Sequence, residues 1–240
     1  VDVVVELCDA RIPRASRTPD LADMMKNMRH LLVLGKADLA DERETRAWLG
    51  YFRAQGIDCM SFDSIRGKAK DIIARIEKAS ADAVAKMAAK GVKKTVRVMI
   101  VGVPNVGKST FTNRINGASI APTGDWPNLS EQQDARVLAF VGTINDNIMD
   151  QQMLAIRLME RLMEDHADAL TTRFKLKNNA LRGVPLLEEA CRCRGWLLPG
   201  GVCDTDRGAA VILDEFRAGK LGRITLQKAP AKPQNTEAQP

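Results

Sequence analysis

One stretch constrains this chain more than any other: Gly102-Val103-Pro104-Asn105-Val106-Gly107-Lys108-Ser109-Thr110. It fits G-x-x-x-x-G-K-[ST] and stands between an apolar run, Val96–Val101, and a helix expected from Lys108 to Asn116. Such a loop needs a strand before it and a helix after it. Glycines let successive backbone N–H groups face one concavity, and the helix brings its positive end to the same place. Phosphate oxygens suit that concavity. Lys108 then reaches β- and γ-phosphates and the Ser109 hydroxyl supplies an oxygen ligand to Mg²⁺. Lys108 is therefore the candidate catalytic residue. Pro104, Asn105, Val106, Gly107, Lys108, Ser109 and Thr110 are the candidate phosphate-binding positions. An accidental glycine turn is the competing reading, and the flanking strand and helix argue against it.

The chain before the loop alternates strands with helices. Val1–Leu7, His30–Leu34 and Asp58–Phe62 read as strands; Pro19–Met28, Asp41–Gln55 and Lys68–Lys90 read as helices. That order predicts an α/β fold, a mostly parallel sheet with helices on both faces and ligands beyond the carboxyl ends of its strands. Past about residue 138 the pattern becomes helical, clearest over Gln151–His166. Ala209–Phe216 is ambiguous by period and is read as helix because Asp214-Glu215 break a strand pattern. The expected organisation is a nucleotide domain over 1–137, a helical domain over 138–226 and a disordered or extended tail over 227–240, which holds three prolines.

Bulk properties narrow the partners. The longest apolar runs fall well short of the ~18 residues that a membrane span needs. A net charge of +6 permits nucleic-acid binding, while aromatics at 4% disfavour a base-stacking platform and suit recognition of folded RNA by backbone and shape. Five scattered cysteines argue against a disulfide framework and fit a reducing compartment. Cys191, Cys193 and Cys203 lack a fourth close Cys or His and read as ordinary thiols rather than a zinc set. The first residue is not Met and a strand begins at once, so residues are expected to precede Val1.

After the apolar run Leu31–Leu34 the chain reads Gly35-Lys36-Ala37-Asp38, which resembles the guanine-reading motif Asn-Lys-x-Asp. A carboxylate at Asp38 can accept from both N1–H and the exocyclic amine of guanine, an arrangement adenine lacks. The Lys36 stem can lie along the base. Gly35 departs from the motif and loses a side-chain amide that tethers the phosphate loop, which lowers the expected affinity more than the specificity. Ser61-Phe62-Asp63-Ser64-Ile65-Arg66-Gly67 resembles the Ser-Ala-x-x-Gly loop, with Asp63 and Ser64 in the place whose backbone N–H meets guanine O6.

These base-reading motifs precede the phosphate loop, the reverse of the Ras-like order. With the loop Asp9-Ala10-Arg11-Ile12-Pro13 after the first strand, this circularly permuted order resembles the RbgA/YlqF family of ribosome-assembly GTPases. The resemblance runs from Val1 to about Leu226 and includes Pro199-Gly200-Gly201 and Lys220-Leu221-Gly222-Arg223. It implies binding of GTP and GDP with Mg²⁺, and hydrolysis of GTP to GDP and phosphate. It also implies a role in assembling the large ribosomal subunit, in a bacterial cytoplasm or an organelle matrix, by a monomer. Asn105 accompanies potassium dependence in several relatives, so K⁺ is a further candidate ligand; a loop-stabilising hydrogen bond is the equal alternative. Lys175, Lys177, Arg182, Arg192, Arg194, Arg217, Lys220 and Arg223 form the candidate rRNA surface, against the plainer reading of a solvated basic face.

A switch I Thr and an Asp-x-x-Gly loop, which sense the γ-phosphate, are not visible. Ala121–Asp125 resembles the approach to switch I and Trp126–Leu129 the segment after the Asp-x-x-Gly loop, yet they adjoin. A switch and two strands would occupy roughly 20–30 residues between them. A skipped segment at Asp125/Trp126 is therefore expected. A true deletion is the alternative; it would leave a nucleotide-dependent rRNA-binding assembly factor without catalysis. An ATP-binding protein is a third reading, which Asp38 and the Pro-Asn-Val-Gly loop argue against.

Overall fold

The structure, a computed structural model, describes residues 1–18, 21, 28–63, 65–115, 132–143 and 150–230. The helix expected over Pro19–Met28, the Asp125/Trp126 junction and Ser64 fall largely or wholly outside these residues.

Four strands form a parallel sheet in the order β3-β2-β1-β4: β1 (Val3–Asp9), β2 (Arg29–Gly35), β3 (Cys59–Ser61) and β4 (Val98–Val101). This is the α/β architecture the alternating pattern predicted. β1 is central, and all seven of its residues are buried. A strand covered on both faces has no polar side, so Val3, Val4, Val5 and Leu7 run almost without alternation. Each such side chain taken from water contributes roughly 1.5–3 kcal/mol. Glu6 lies inside this run and is fully satisfied. It accepts from the Arg17 guanidinium at 2.9 Å, from the Thr18 N–H at 2.8 Å and pairs with His30 Nε2 at 3.0 Å.

Helix α1 (Glu42–Ala54) begins where Asp41 caps it, accepting from the Arg43 and Glu44 N–H groups. Its buried face, Thr45, Trp48, Leu49 and Phe52, follows the helical period and packs with Leu32, Leu34 and Cys59. Helix α2 (Ala69–Ala88) buries a narrower stripe of Ile72, Ile76 and Ser80. Helix α3 (Lys108–Arg114) follows β4 and buries Phe111.

The remaining described helices are α4 (Gln132–Phe140), α5 (Gln151–Asp165), α6 (Ala167–Phe174), α7 (Val184–Arg194) and α8 (Thr205–Arg217). α5 buries Leu154, Ile156, Leu158, Met159 and Leu162 and packs chiefly on α8, which buries Ala209, Ile212, Leu213 and Phe216. The ambiguous Ala209–Phe216 run is thus helical. Gly208 admits α7 closely, since a Cβ there would collide with Cys191 Sγ. Arg173 grips Glu215 through two hydrogen bonds at 2.8 and 2.6 Å.

The described chain divides into two compact units: residues up to 115 together with those from Thr225 onward, and residues 132–224. Residues 225–230 group with the first unit. Leu226 N–H donates to the Arg11 carbonyl at 2.8 Å, and the Gln227 side-chain oxygen accepts from the Arg14 and Ala15 N–H groups. Trp48 Nε1 donates to the Gln227 carbonyl at 2.8 Å. Backbone groups paired in this way resist fraying, whatever the composition around them. Among the described residues no helix is long and apolar enough to cross a membrane.

Candidate functional site

Strand order brings together what sequence order separates. β2, β1 and β4 are neighbours, so their carboxyl ends set three loops side by side: Gly35–Asp38, Asp9–Pro13 and Gly102–Gly107. The register aligns Asp9 with Gly35 and Glu6 with Val101. One residue further, Gly102 passes so close to β1 that a Cβ would strike the Leu7 carbonyl oxygen. Glycine is required there by the approach of two backbones.

The Gly102–Thr110 loop takes a backbone of alternating hand before its helix. Asn105 and Gly107 take positive φ, 55° and 106°, and α3 starts at the next residue. Alternating handedness of this kind turns successive N–H groups toward one point, an anion-binding concavity. Lys108 is buried, and its Nζ donates to the Gly102 and Val103 carbonyls at 3.0 Å each. The ammonium is therefore held across the loop. Val106 is buried, Pro104 and Asn105 are exposed, and Ser109 and Thr110 are exposed in the first turn of α3.

Lys36 joins the two motifs. Its φ is 54°, its Nζ donates to the Asn105 carbonyl at 2.9 Å, and its Nζ lies 3.4 Å from Asp9 Oδ2. A side chain at Gly107 would begin 3.8 Å from Lys36 Cε, so the lysine stem runs beside the phosphate loop. Burial lowers the Lys36 pKa below its ordinary value, while the Asp9 carboxylate opposes that shift. For Asp9 burial alone would raise the pKa, but Arg11 and Lys36 outweigh it and hold the carboxyl below its usual range. Asp9 and Arg11 are both almost wholly buried. Oδ1 accepts from Arg11 Nε and N–H, and Oδ2 meets the guanidinium at 2.7 Å.

Asp38 is half-buried in the turn closed by the Leu39 N–H on the Lys36 carbonyl. Asp63 spends its carboxylate on its own loop, accepting from the Ile65 and Arg66 N–H groups at 2.7 and 2.6 Å. That loop closes tightly, because a Cβ at Gly67 would overlap the Phe62 ring and the Asp63 carbonyl. It is linked to α3 by Arg114, which donates to the Ile65 carbonyl at 2.7 Å, and by Phe62 meeting Phe111 edge-on at 5.4 Å. A Cβ at Gly35 would sit 3.0 Å from Leu7 Cδ1, a tight contact that a small shift of that side chain relieves. Of the basic residues singled out in the second unit, Lys175, Lys177, Arg182, Arg192, Arg194, Lys220 and Arg223 are exposed. Arg217 is half-buried and donates to the Ala139 and Phe140 carbonyls at the end of α4.

Sequence reasoning did not find the roles of Asp9 and Arg11 or the clasp of Gln227. The signal for the first was present: a carboxylate ending a mostly apolar strand, two residues before an arginine. The second had none, because it joins residues more than two hundred positions apart.

The arrangement can cradle phosphates, place a buried ammonium on them and present a carboxylate to a guanine edge. A profile of the 50S ribosome-binding GTPase family matches residues 97–154. Ribosome biogenesis GTPase A of Priestia megaterium is 34% identical over 255 aligned positions, covering 94% of this chain and 88% of the relative. Its counterpart in Thermotoga maritima is 26% identical and covers 95% and 86%. Among solved structures, GDP-bound TM YlqF superposes with a TM-score of 0.73 at 25% identity, covering 95% of each chain.

Proposed function

Because this chain belongs to the ribosome biogenesis GTPase A family, we propose that it hydrolyses GTP to GDP and phosphate while serving the assembly of the large ribosomal subunit. The observation that carries this reading is the bond from Lys36 of the guanine loop to Asn105 of the phosphate loop, which makes one site of two distant motifs. GTP lies with its base at Asp38, beside the Lys36 stem and the 61–67 loop, and its phosphates in the Asn105–Lys108 concavity. Lys108 exchanges its two carbonyl partners for phosphate oxygens, and the loop N–H groups stabilise charge on the transferring phosphoryl group.

The residues fit a divalent cation, since the Ser109 hydroxyl is exposed in the first turn after the loop. When bound there, Mg²⁺ supplies neutralisation of the β/γ-phosphate charge. The exposed Asn105 side chain is the position for K⁺. Exposed Lys175, Lys177, Arg182, Arg192, Arg194, Lys220 and Arg223 are the cations offered to rRNA phosphates, in a bacterial cytoplasm. Phosphate release from GTP, measured with and without isolated large subunits, tests the reading. No GTP turnover in either condition would overturn it.

A second reading is favoured by one observation. The alignment with the Priestia megaterium relative spans 255 positions, more than the 240 residues here. That relative therefore carries residues without a counterpart here, which leaves room for a chain lacking the γ-phosphate-sensing loops. Nucleotide would then be bound for structure alone, and GDP binding without single-turnover hydrolysis would identify that case.

A further inference from the structure

We propose that Asp9, held by Arg11, is the positioning residue that does the work of the amide absent at Gly35, tying the guanine loop to the phosphate loop through Lys36. This rests on the guanine-nucleotide reading of the site. Gly35 cannot supply the tether, because it has no side chain. What connects the loops instead is the Lys36 ammonium on the Asn105 carbonyl at 2.9 Å. That contact has two costs. Lys36 is left-handed at φ 54°, a conformation side chains rarely adopt, and its ammonium is largely withdrawn from water.

Asp9 offsets the second cost. Its Oδ2 lies 3.4 Å from Lys36 Nζ, and the carboxylate cannot swing toward solvent because Arg11 grips both of its oxygens. The strand order explains why β1 provides this group. β1 lies between β2, which ends in the guanine loop, and β4, which ends in the phosphate loop. A carboxylate at its carboxyl end is the one placed between the two. Arg11 is fixed in turn, since its carbonyl accepts from the Leu226 N–H. Asp9 touches neither base nor phosphate in this account. It acts by holding Lys36.

The test is the ratio of GDP to ADP affinity, measured by calorimetry on the full chain. Unfolding lowers both affinities alike, so a merely structural loss leaves the ratio unmoved. Asp9→Asn keeps the shape, removes the charge and should lower the ratio about tenfold, within the range of coupling between contacting residues. Lys36→Met should do the same, and the double variant should lose no more than Lys36→Met alone. If the double variant's loss is the product of the two single losses, Asp9 acts independently of Lys36 and the inference is overturned. It is equally overturned if Asp9→Asn keeps the wild-type ratio. Should Asp9→Asn not fold, Arg11→Lys keeps a cation beside Asp9 without the two-oxygen grip and should lower the ratio by a smaller factor; an unchanged ratio again overturns the inference. Equal GDP and ADP affinity in the unaltered chain is a different result, which removes the guanine reading itself.

Discussion

Lys36 and Asn105 both adopt left-handed backbone and are joined to each other, Lys36 Nζ donating to the Asn105 carbonyl at 2.9 Å. Left-handed non-glycine residues cost on the order of 1–3 kcal/mol each and persist where surrounding structure over-determines them. Here each holds the other in place, which fixes the separation between base-reading and phosphate-binding backbone.

Asp38→Asn should weaken GDP binding by about a hundredfold or more, because a charged acceptor for two guanine donors is lost and each such bond is worth roughly 1.5–3 kcal/mol. The amide can instead donate to a carbonyl, so xanthosine diphosphate should gain. Calorimetry with both nucleotides decides it: unchanged GDP affinity would place the base elsewhere.

Lys108→Ala should reduce GTP turnover by about 10²–10³-fold, as expected for removing one preorganised charge-stabilising donor. Triphosphate affinity should fall more than diphosphate affinity. Phosphate release at saturating GTP is the measurement, and wild-type turnover would show that the loop is not the active centre.

Gln227→Ala should destabilise the first unit by about 1–3 kcal/mol, the cost of leaving one buried donor unpaired. Its side-chain oxygen receives two N–H groups, from Arg14 and from buried Ala15. Urea unfolding followed by fluorescence, with Trp126→Phe and Trp196→Phe so that Trp48 reports alone, reads the loss. A midpoint equal to wild type would mean that water replaces the clasp without penalty.

Acid should unfold this chain partly through Glu6. Burial raises its pKa, but His30, Arg17 and the Thr18 N–H together outweigh burial and hold the carboxyl below its ordinary value. A carboxyl depressed in the folded state contributes stability that is present above its unfolded pKa and lost as pH falls through the folded one. The window therefore opens below about pH 4.5. Glu6→Gln should cost about 3–5 kcal/mol near neutrality, as a broken buried pair does, and should flatten the acid limb. An acid limb as steep as wild type would assign the protonation elsewhere.

Neutralising Lys220 and Arg223 together should weaken binding to large-subunit rRNA and reduce the slope of log affinity against log salt by about two, if each contacts a phosphate. Filter binding across a salt series measures this. A slope unchanged by the double substitution would remove both residues from the interface.

The sequence by itself determined the α/β class, the phosphate loop and the order of its motifs. Those depend on local chemistry: a glycine pattern that only one backbone accommodates, and apolar runs whose length and spacing set strand and helix. It also identified Gly35 as a departure. What only the tertiary structure decided was which residues stand around that position. Asp9 stands between two loops because β1 stands between two strands, and Leu226 and Gln227 bond to Arg11, Arg14 and Ala15 from the far end of the chain. Such relations depend on which strand ends lie side by side, and strand order is set by packing of the whole sheet, not by any stretch of residues within it.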